Sequence, residues 1–243
     1  LCPGWGRRST LKTWHEQGLP DSIQDYGEYA YRQVGGQLPW ESGSANFMVN
    51  ERMIPSFEEK IIEERELSRV VQDWKGNICE IANNFTPDHL RHAIDFVTRR
   101  WIKCPVETRA DWEDMKRRYD SYASERLPEN PEALGQSLQN RNGFLELHFS
   151  GPFWQVREWV GFETLCTLFY DDPALVGDMI AFWSDHVAIL LQRALSVVKP
   201  DCVHLSEDMA YKSFSMISPA MAREYLLPVW KRWGDIVRKA GVP

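Results

Sequence analysis

The sequence contains no Cys-x-x-Cys pair, no glycine-rich phosphate loop, no Gly-x-Ser-x-Gly elbow and no Ser-His-Asp order. The first absence removes thiolate metal knuckles. The others remove nucleotide-cradling loops and the commonest serine-hydrolase layout. The five cysteines, at positions 2, 79, 104, 166 and 202, are odd in number and widely scattered, so a disulfide framework is not expected. No apolar run approaches the roughly 18 residues of a membrane span, and no stretch resembles a secretory leader. Positive charge is also scarce. Twenty-eight Lys and Arg stand against 35 Asp and Glu, a net charge of −7, without the basic stripe that nucleic-acid binding requires. The default expectation is therefore a cytoplasmic protein with no membrane and no nucleic acid among its partners.

What is present is core-forming material. Of 243 residues, 43% are hydrophobic and 11 are tryptophan, enough for one large domain. We read a single domain over residues 1–243, with an N-terminal extension and a β-hairpin (about 1–100) packed on a main sheet. Thr10–Gln17 reads as a helix ending at Gly18. Ser56-Phe-Glu-Glu59 has the spacing of a capping box and predicts a helix through about Leu67. Val70–Trp74 and Ile78–Ala82 flank Lys75-Gly76-Asn77, a hairpin pattern. Pro87–Thr98, with Leu90, Ile94, Phe96 and Val97, predicts a short helix. Thr108 is the N-cap of a helix through about Tyr119. The polar stretch 124–142 reads as a surface excursion.

Beyond it the pattern is regular. Phe144–Phe149 alternates as a strand that Gly151-Pro152 breaks. A helical segment runs on to about Tyr170, and Asp172-Pro173 opens a long helix to about Val198. Asp201–Asp208 follows, with Val203 and Leu205 alternating with His204 and Ser206 as in a short strand. Ser218-Pro219 starts a last helix, which Pro228 should kink and Gly241 should stop. A strand between two helices is one step of a parallel α/β sheet, and in such sheets ligands sit at the carboxyl ends of the strands. Glu207 and Asp208 stand at that end, followed by Tyr211 and Lys212.

Several of these segments resemble the uroporphyrinogen decarboxylase superfamily, which also holds the methylcobalamin:thiol methyltransferases. They are Glu207-Asp-Met-Ala-Tyr-Lys212, Ile217-Ser-Pro219, Tyr225-Leu-Leu-Pro-Val-Trp-Lys231, Thr10-Leu-Lys-Thr-Trp-His-Glu-Gln-Gly-Leu-Pro20, Pro55-Ser-Phe-Glu58, Cys104-Pro-Val-Glu-Thr-Arg-Ala-Asp-Trp112, Tyr119-Asp120, and Glu163 with Tyr170-Asp-Asp-Pro173. Their shared order carries the resemblance. It implies a (β/α)8 TIM barrel, incomplete in this chain, with the site at the carboxyl face of its strands. Only about four or five barrel-type strands can be placed against the eight needed for closure. The resemblance also implies that a C-terminal third lies beyond Pro243, and with it the zinc ligands of the methyltransferase branch, a His-x-Cys pair and a later Cys. No metal ligands are assigned within the chain. The Arg-Gln-Ala-Gly-Arg-Tyr motif of the decarboxylases does not occur, and Trp159 stands where they carry a tyrosine. A multiply anionic tetrapyrrole needs guanidinium partners, so these departures favour methyl transfer from a corrinoid protein to a zinc-activated thiol. Tetrapyrrole decarboxylation is the alternative. A non-catalytic small-molecule-binding barrel is the third reading.

The candidate catalytic residues are Glu207 and Asp208, whose side chains should face opposite ways on an extended backbone. Their plain alternative is helix capping or pairing with Lys212. Candidate substrate-binding residues are His148, Trp154, Arg157, Trp159, Tyr211 and Lys212. Trp154 and Trp159 would offer aromatic walls and Arg157 an anchoring cation; ordinary packing is the alternative for each. His89 and His92 share a helical face, with no third ligand nearby. His186 reads as a packed helix residue.

Overall fold

A computed structural model of the protein describes residues 8–35, 45–92 and 97–242. Ile94 and Phe96, expected on a short helix, lie outside the described residues, as do Cys2 and Pro243. The chain divides into two compact units, residues 1–44 with 57–103, and residues 45–56 with 104–243.

In the first unit α1 (Arg8–Glu16) ends at Gly18, whose φ of +104° is left-handed, and α2 (Tyr26–Gln33) follows. Four strands come next, β1 (Lys60–Glu64), β2 (Ser68–Gln72), β3 (Ile78–Ala82) and β4 (Arg99–Lys103), with α3 (Pro87–His92) between the last two. They form one antiparallel sheet in sequential order. The expected hairpin is there. The Asp73 carboxylate accepts from the backbone N–H groups of Lys75 and Asn77, each at 2.9 Å, and Gly76 turns the chain at φ +89°. The helix expected from Ser56 is not: residues 60–64 form β1. The Phe57 N–H donates to Trp74 O at 2.9 Å, which holds this stretch extended beside the hairpin. A pair of β-branched residues, Ile61-Ile62, then suits a strand better than a helix. Val71, Cys79, Ile81 and Val97, with Phe85 and Leu90 against them, make the unit's apolar core.

The second unit starts its helices at α4 (Arg109–Lys116). There Thr108 accepts from Asp111 N–H while the Asp111 carboxylate accepts from Thr108 N–H, a capping box. The 124–142 stretch carries α5 (Pro131–Ser137) and is not wholly superficial: Arg126 and Leu138 are buried. The Arg126 guanidinium donates to the carbonyls of Asp120 (2.7 Å), Asn50 (3.2 Å), Arg118 (3.2 Å) and Arg52. It ties residues 50–52 to the loop after α4.

Strand β5 (Glu146–Ser150) leads through α6 (Pro152–Val160), α7 (Phe162–Asp171) and α8 (Pro173–Leu195) to β6 (Cys202–Ser206). β5 and β6 pair in parallel, with Glu146 opposite Cys202, His148 opposite His204 and Ser150 opposite Ser206. Leu145, Leu147 and Phe149 are buried, as are Val176, Met179, Ile180, Trp183 and Val187 of α8. Burying each such side chain contributes about 1.5–3 kcal/mol. Helix α8 is the one described helix long and apolar enough to cross a membrane, and it is mostly buried within this unit.

The last helical run starts at α9 (Pro219–Met221), capped by the Ser218 hydroxyl accepting from Met221 N–H. It widens to a π segment over Ala222–Leu226 and continues as α10 (Leu227–Lys239). Pro228, which lacks an N–H, sits just past that wider turn, the expected place for a break in the ladder. Gly241 stops the run at φ +72°.

The barrel expectation is overturned. Among the described residues the sheets are a four-stranded antiparallel one and a two-stranded parallel one. Strands β1 to β3 are joined by turns too short for a crossover, and such strands can pair only antiparallel. The β5–β6 connection alone has the helices a parallel pair needs.

Candidate functional site

The carboxyl ends of β5 and β6 do bring sequence-predicted residues together. Gly151 follows β5 and Glu207 follows β6, side by side: Gly151 N–H donates to Ser206 O at 2.7 Å. Glu207 turns its carboxylate onto the amino terminus of α6. It accepts from Phe153 N–H at 3.2 Å, Trp154 N–H at 3.0 Å and Trp230 Nε1–H at 3.3 Å. Burial pushes its pKa above the usual 4.5, and these donors pull it part of the way back. The helix end favours the anion through its free N–H groups and its dipole. Gly151 has an ordinary φ of −72°. It is glycine for space, because a Cβ there would overlap the Glu207 carboxyl.

Asp208 also meets α6, through a side chain further along it. Its Oδ2 accepts from Arg157 Nη2 at 2.7 Å, and its carbonyl from Arg157 Nη1 at 3.0 Å. Arg157 in turn lies 5.6 Å over the Trp154 ring. Trp154, Arg157, Glu207 and Asp208 are thus one cluster. The partner of Asp208 is Arg157, where the sequence offered Lys212.

Other predicted residues stand apart from it. Trp159 is fully buried and donates to the Tyr119 hydroxyl at 3.0 Å. It packs with Trp112, Phe182 and Trp183 in an aromatic core; packing is its structural role. Tyr211 and Lys212 are exposed on the turn after β6, where Tyr211 N–H donates to Phe214 O at 2.6 Å. His186 is buried, its Nδ1 2.7 Å from the Ser121 hydroxyl and its Nε2 3.2 Å from Glu51 O. Burial drives its pKa down to about 3, so it is a neutral scaffold imidazole. His89 hydrogen-bonds to Thr86 at 2.9 Å, and His92 lies 3.4 Å from Asp88.

His148 has company that the sequence reading did not identify. The exposed face of the parallel pair carries Glu146 and His148 from β5 with Cys202, His204 and Ser206 from β6. His148 Nε2 is 2.7 Å from Ser206 Oγ. The His148 and His204 rings meet edge to face at 5.1 Å. His204 Nδ1 lies 3.2 Å from Glu146 Oε1, and Cys202 Sγ donates to Glu146 Oε2 at 3.7 Å. Partial burial first, then the neighbouring His204, hold His148 below its ordinary pKa, with Glu146 pulling the other way. The missed signal was positional: residues 146 and 148, and 202, 204 and 206, share one face by period 2. At the edge of β5 a buried Glu51 carboxylate accepts from the Ser150 N–H and, at 2.6 Å, from its hydroxyl.

Beside the 209–218 segment lies a cleft of about 450 Å3 lined by Cys166, Phe169, Phe214, Met216 and Met221, which the sequence did not suggest either. Among the described residues no three His, Cys, Asp or Glu side chains are grouped to hold a metal ion. The zinc of the resembled methyltransferases therefore finds no ready ligand set there. Cys166 and Cys202 form no disulfide.

No family model, no curated protein and no solved structure matches the chain.

Proposed function

We propose that this protein is an enzyme acting on a small molecule at the carboxyl ends of β5 and β6, and that its reaction is the methyl transfer to a thiol implied by its resemblance to the methylcobalamin:thiol methyltransferases. The observation that carries the proposal is the open polar face. Two imidazoles, a carboxylate, a thiol and a hydroxyl stand in contact on it, and it leads directly to Glu207 and Asp208. Covered parallel strands are apolar on both faces, so this concentration of titratable groups needs a reason other than packing.

Each member has a role in that reading. Glu207 and the α6 amino terminus fix the strand ends, and Asp208 orients Arg157 over Trp154. Trp154 offers a flat surface for a ligand. Arg157 also weighs against tetrapyrrole decarboxylation. Its guanidinium already serves Asp208, and a substrate with many carboxylates needs several free ones. The methyl donor in this reading is the corrinoid of a partner protein. Zinc, where bound, would lower the thiol's pKa; its ligands are not assigned among the described residues. Free thiols accord with a cytoplasmic setting.

The test is to incubate the protein with methylcobalamin and a small thiol such as 2-mercaptoethanol, following loss of the methylcobalamin absorbance and formation of the methyl thioether by mass spectrometry. Turnover above the protein-free rate is expected. A methylcobalamin pool left intact would sink the reading. Conversion of uroporphyrinogen would replace it with decarboxylation, and ligand binding without either reaction would replace it with a binding role.

A further inference from the structure

We infer that His148 and Ser206 form a proton relay, in which the Ser206 hydroxyl takes the proton of the acceptor thiol while passing its own to His148 Nε2. The inference rests on the methyl-transfer reading and names how that site makes its nucleophile. Ser206 is the last residue of β6, at the strand end, so its hydroxyl is the group of the pair nearest the proposed ligand position. Its Oγ lies 2.7 Å from His148 Nε2, within the reach a general base needs. Both groups lie on the face that the core leaves uncovered, where a substrate can approach.

The surroundings decide which imidazole accepts the proton. The Nδ1 of His204 is engaged by the Glu146 carboxylate at 3.2 Å. His148 has a hydroxyl partner at Nε2 and a second imidazole 5.1 Å from its ring. Partial burial and a neighbouring imidazole both disfavour charge on His148, which leaves it a lone pair to offer. The lowered pKa of His148 agrees with this. The titratable groups facing His148 are Glu146 on its own strand and Cys202 and His204 on β6; Glu207 and Asp208 follow at the strand end.

The step balances. The thiol S–H bond breaks and its proton moves to Ser206 Oγ as the Ser206 proton moves to His148 Nε2. The thiolate electron pair forms the new S–CH3 bond. The cobalt–carbon bond of the methylated corrinoid breaks heterolytically, leaving its pair on cobalt. His148 then returns the proton to water.

The experiment measures methylcobalamin-dependent thiol methylation in the wild type and in His148→Gln, Ser206→Ala and Ser206→Thr. General-base contributions are typically about 10²–10⁴-fold. His148→Gln and Ser206→Ala should lose turnover on that scale, and Ser206→Thr, which keeps a hydroxyl, should retain most of it. The wild-type pH profile should be flat from about pH 8 down to 6.5 and fall only below the ordinary imidazole value of 6.5. Deprotonation by bulk water would instead make the rate climb with pH toward the thiol's own pKa of about 8.5. Wild-type rates in His148→Gln or Ser206→Ala, or a profile that climbs through neutrality, overturn the relay and leave methyl transfer standing. An inert wild type overturns the methyl-transfer reading itself, and the relay with it. The wild-type profile decides even if a variant does not fold.

Discussion

Replacing Gly151 by alanine should destabilise the second unit even though nothing about its backbone requires glycine. Its φ of −72° is one that any residue adopts. The obstacle is the Glu207 carboxyl, which occupies the space where a Cβ would go. Alanine therefore forces Glu207 off the amino terminus of α6, and the helix loses acceptors for the Phe153 and Trp154 N–H groups while Trp230 Nε1–H loses its partner. Loss of a cap costs about 0.5–2 kcal/mol, and a side-chain hydrogen bond about 1 kcal/mol. Roughly 2–3 kcal/mol is expected in all, or a Tm lowered by about 5–10 °C in a chain of this size.

Glu207→Ala should cost about the same, because it removes the same acceptor. The double variant is the decisive measurement. Once Glu207 is truncated the space beside Gly151 is open, and the added methyl should cost no more than about 1 kcal/mol, the difference between glycine and alanine at an N-cap. A double-mutant cycle from urea melts should show a coupling of roughly 2 kcal/mol between the two positions. Additive costs would refute the reasoning, and so would a Gly151→Ala variant as stable as the wild type.

Three further outcomes follow from the same structure. Arg126→Met strips a buried guanidinium from four carbonyls and should cost about 3–5 kcal/mol, read as a lower urea midpoint. Thr108→Ala removes one half of the α4 capping box and should cost about 1 kcal/mol, with the loss confined to unfolding of the second unit. Glu51→Gln tests pH linkage. Burial raises the Glu51 pKa above 4.5, so its contribution to stability is present below about pH 4.5 and is lost as pH rises through the folded value. The wild type should therefore lose ground to Glu51→Gln as pH increases from 4.5, and a stability difference that does not change with pH would contradict the burial argument.

The parts of this fold legible in the sequence are those fixed by neighbouring residues. Alternation announced β5 and β6, Lys75-Gly76-Asn77 announced the hairpin, and Thr108, Asp172 and Ser218 announced helix starts; all of these act within a few residues of themselves. What failed depended on distant partners. Ser56-Phe-Glu-Glu59 satisfies a capping pattern, yet the Phe57 N–H is claimed by Trp74 O across the hairpin and the segment extends. β4, Arg99–Lys103, is mostly exposed and charged, and its period-2 signal is too weak to read without β3 beside it. The barrel came from the resemblance, with only about four or five of its strands placed in this chain. Alternation identifies a strand but does not number its neighbours, and among the described residues only two strands pair in parallel.

The candidate site shows the same division. The address at Glu207 and Asp208 could be read from the strand that precedes them, but their partners could not. Glu207 answers to a helix that starts 55 positions earlier, at Pro152, and Asp208 to a guanidinium one turn further along that helix. The imidazole face sits between these cases. Period 2 places His148 with Glu146, and His204 with Cys202 and Ser206, from sequence alone; that the two rows adjoin follows from the register, with His148 opposite His204. Had another sheet or helix layer covered this face, alternate positions of both strands would be apolar, as in parallel sheets buried on both sides. Instead both strands place Leu, Phe and Val on one face and Glu, Cys, His and Ser on the other. Polar side chains on that face are what an uncovered sheet surface carries; the feature particular to this one is that His148 meets both Ser206 and His204, and Glu146 meets both His204 and Cys202.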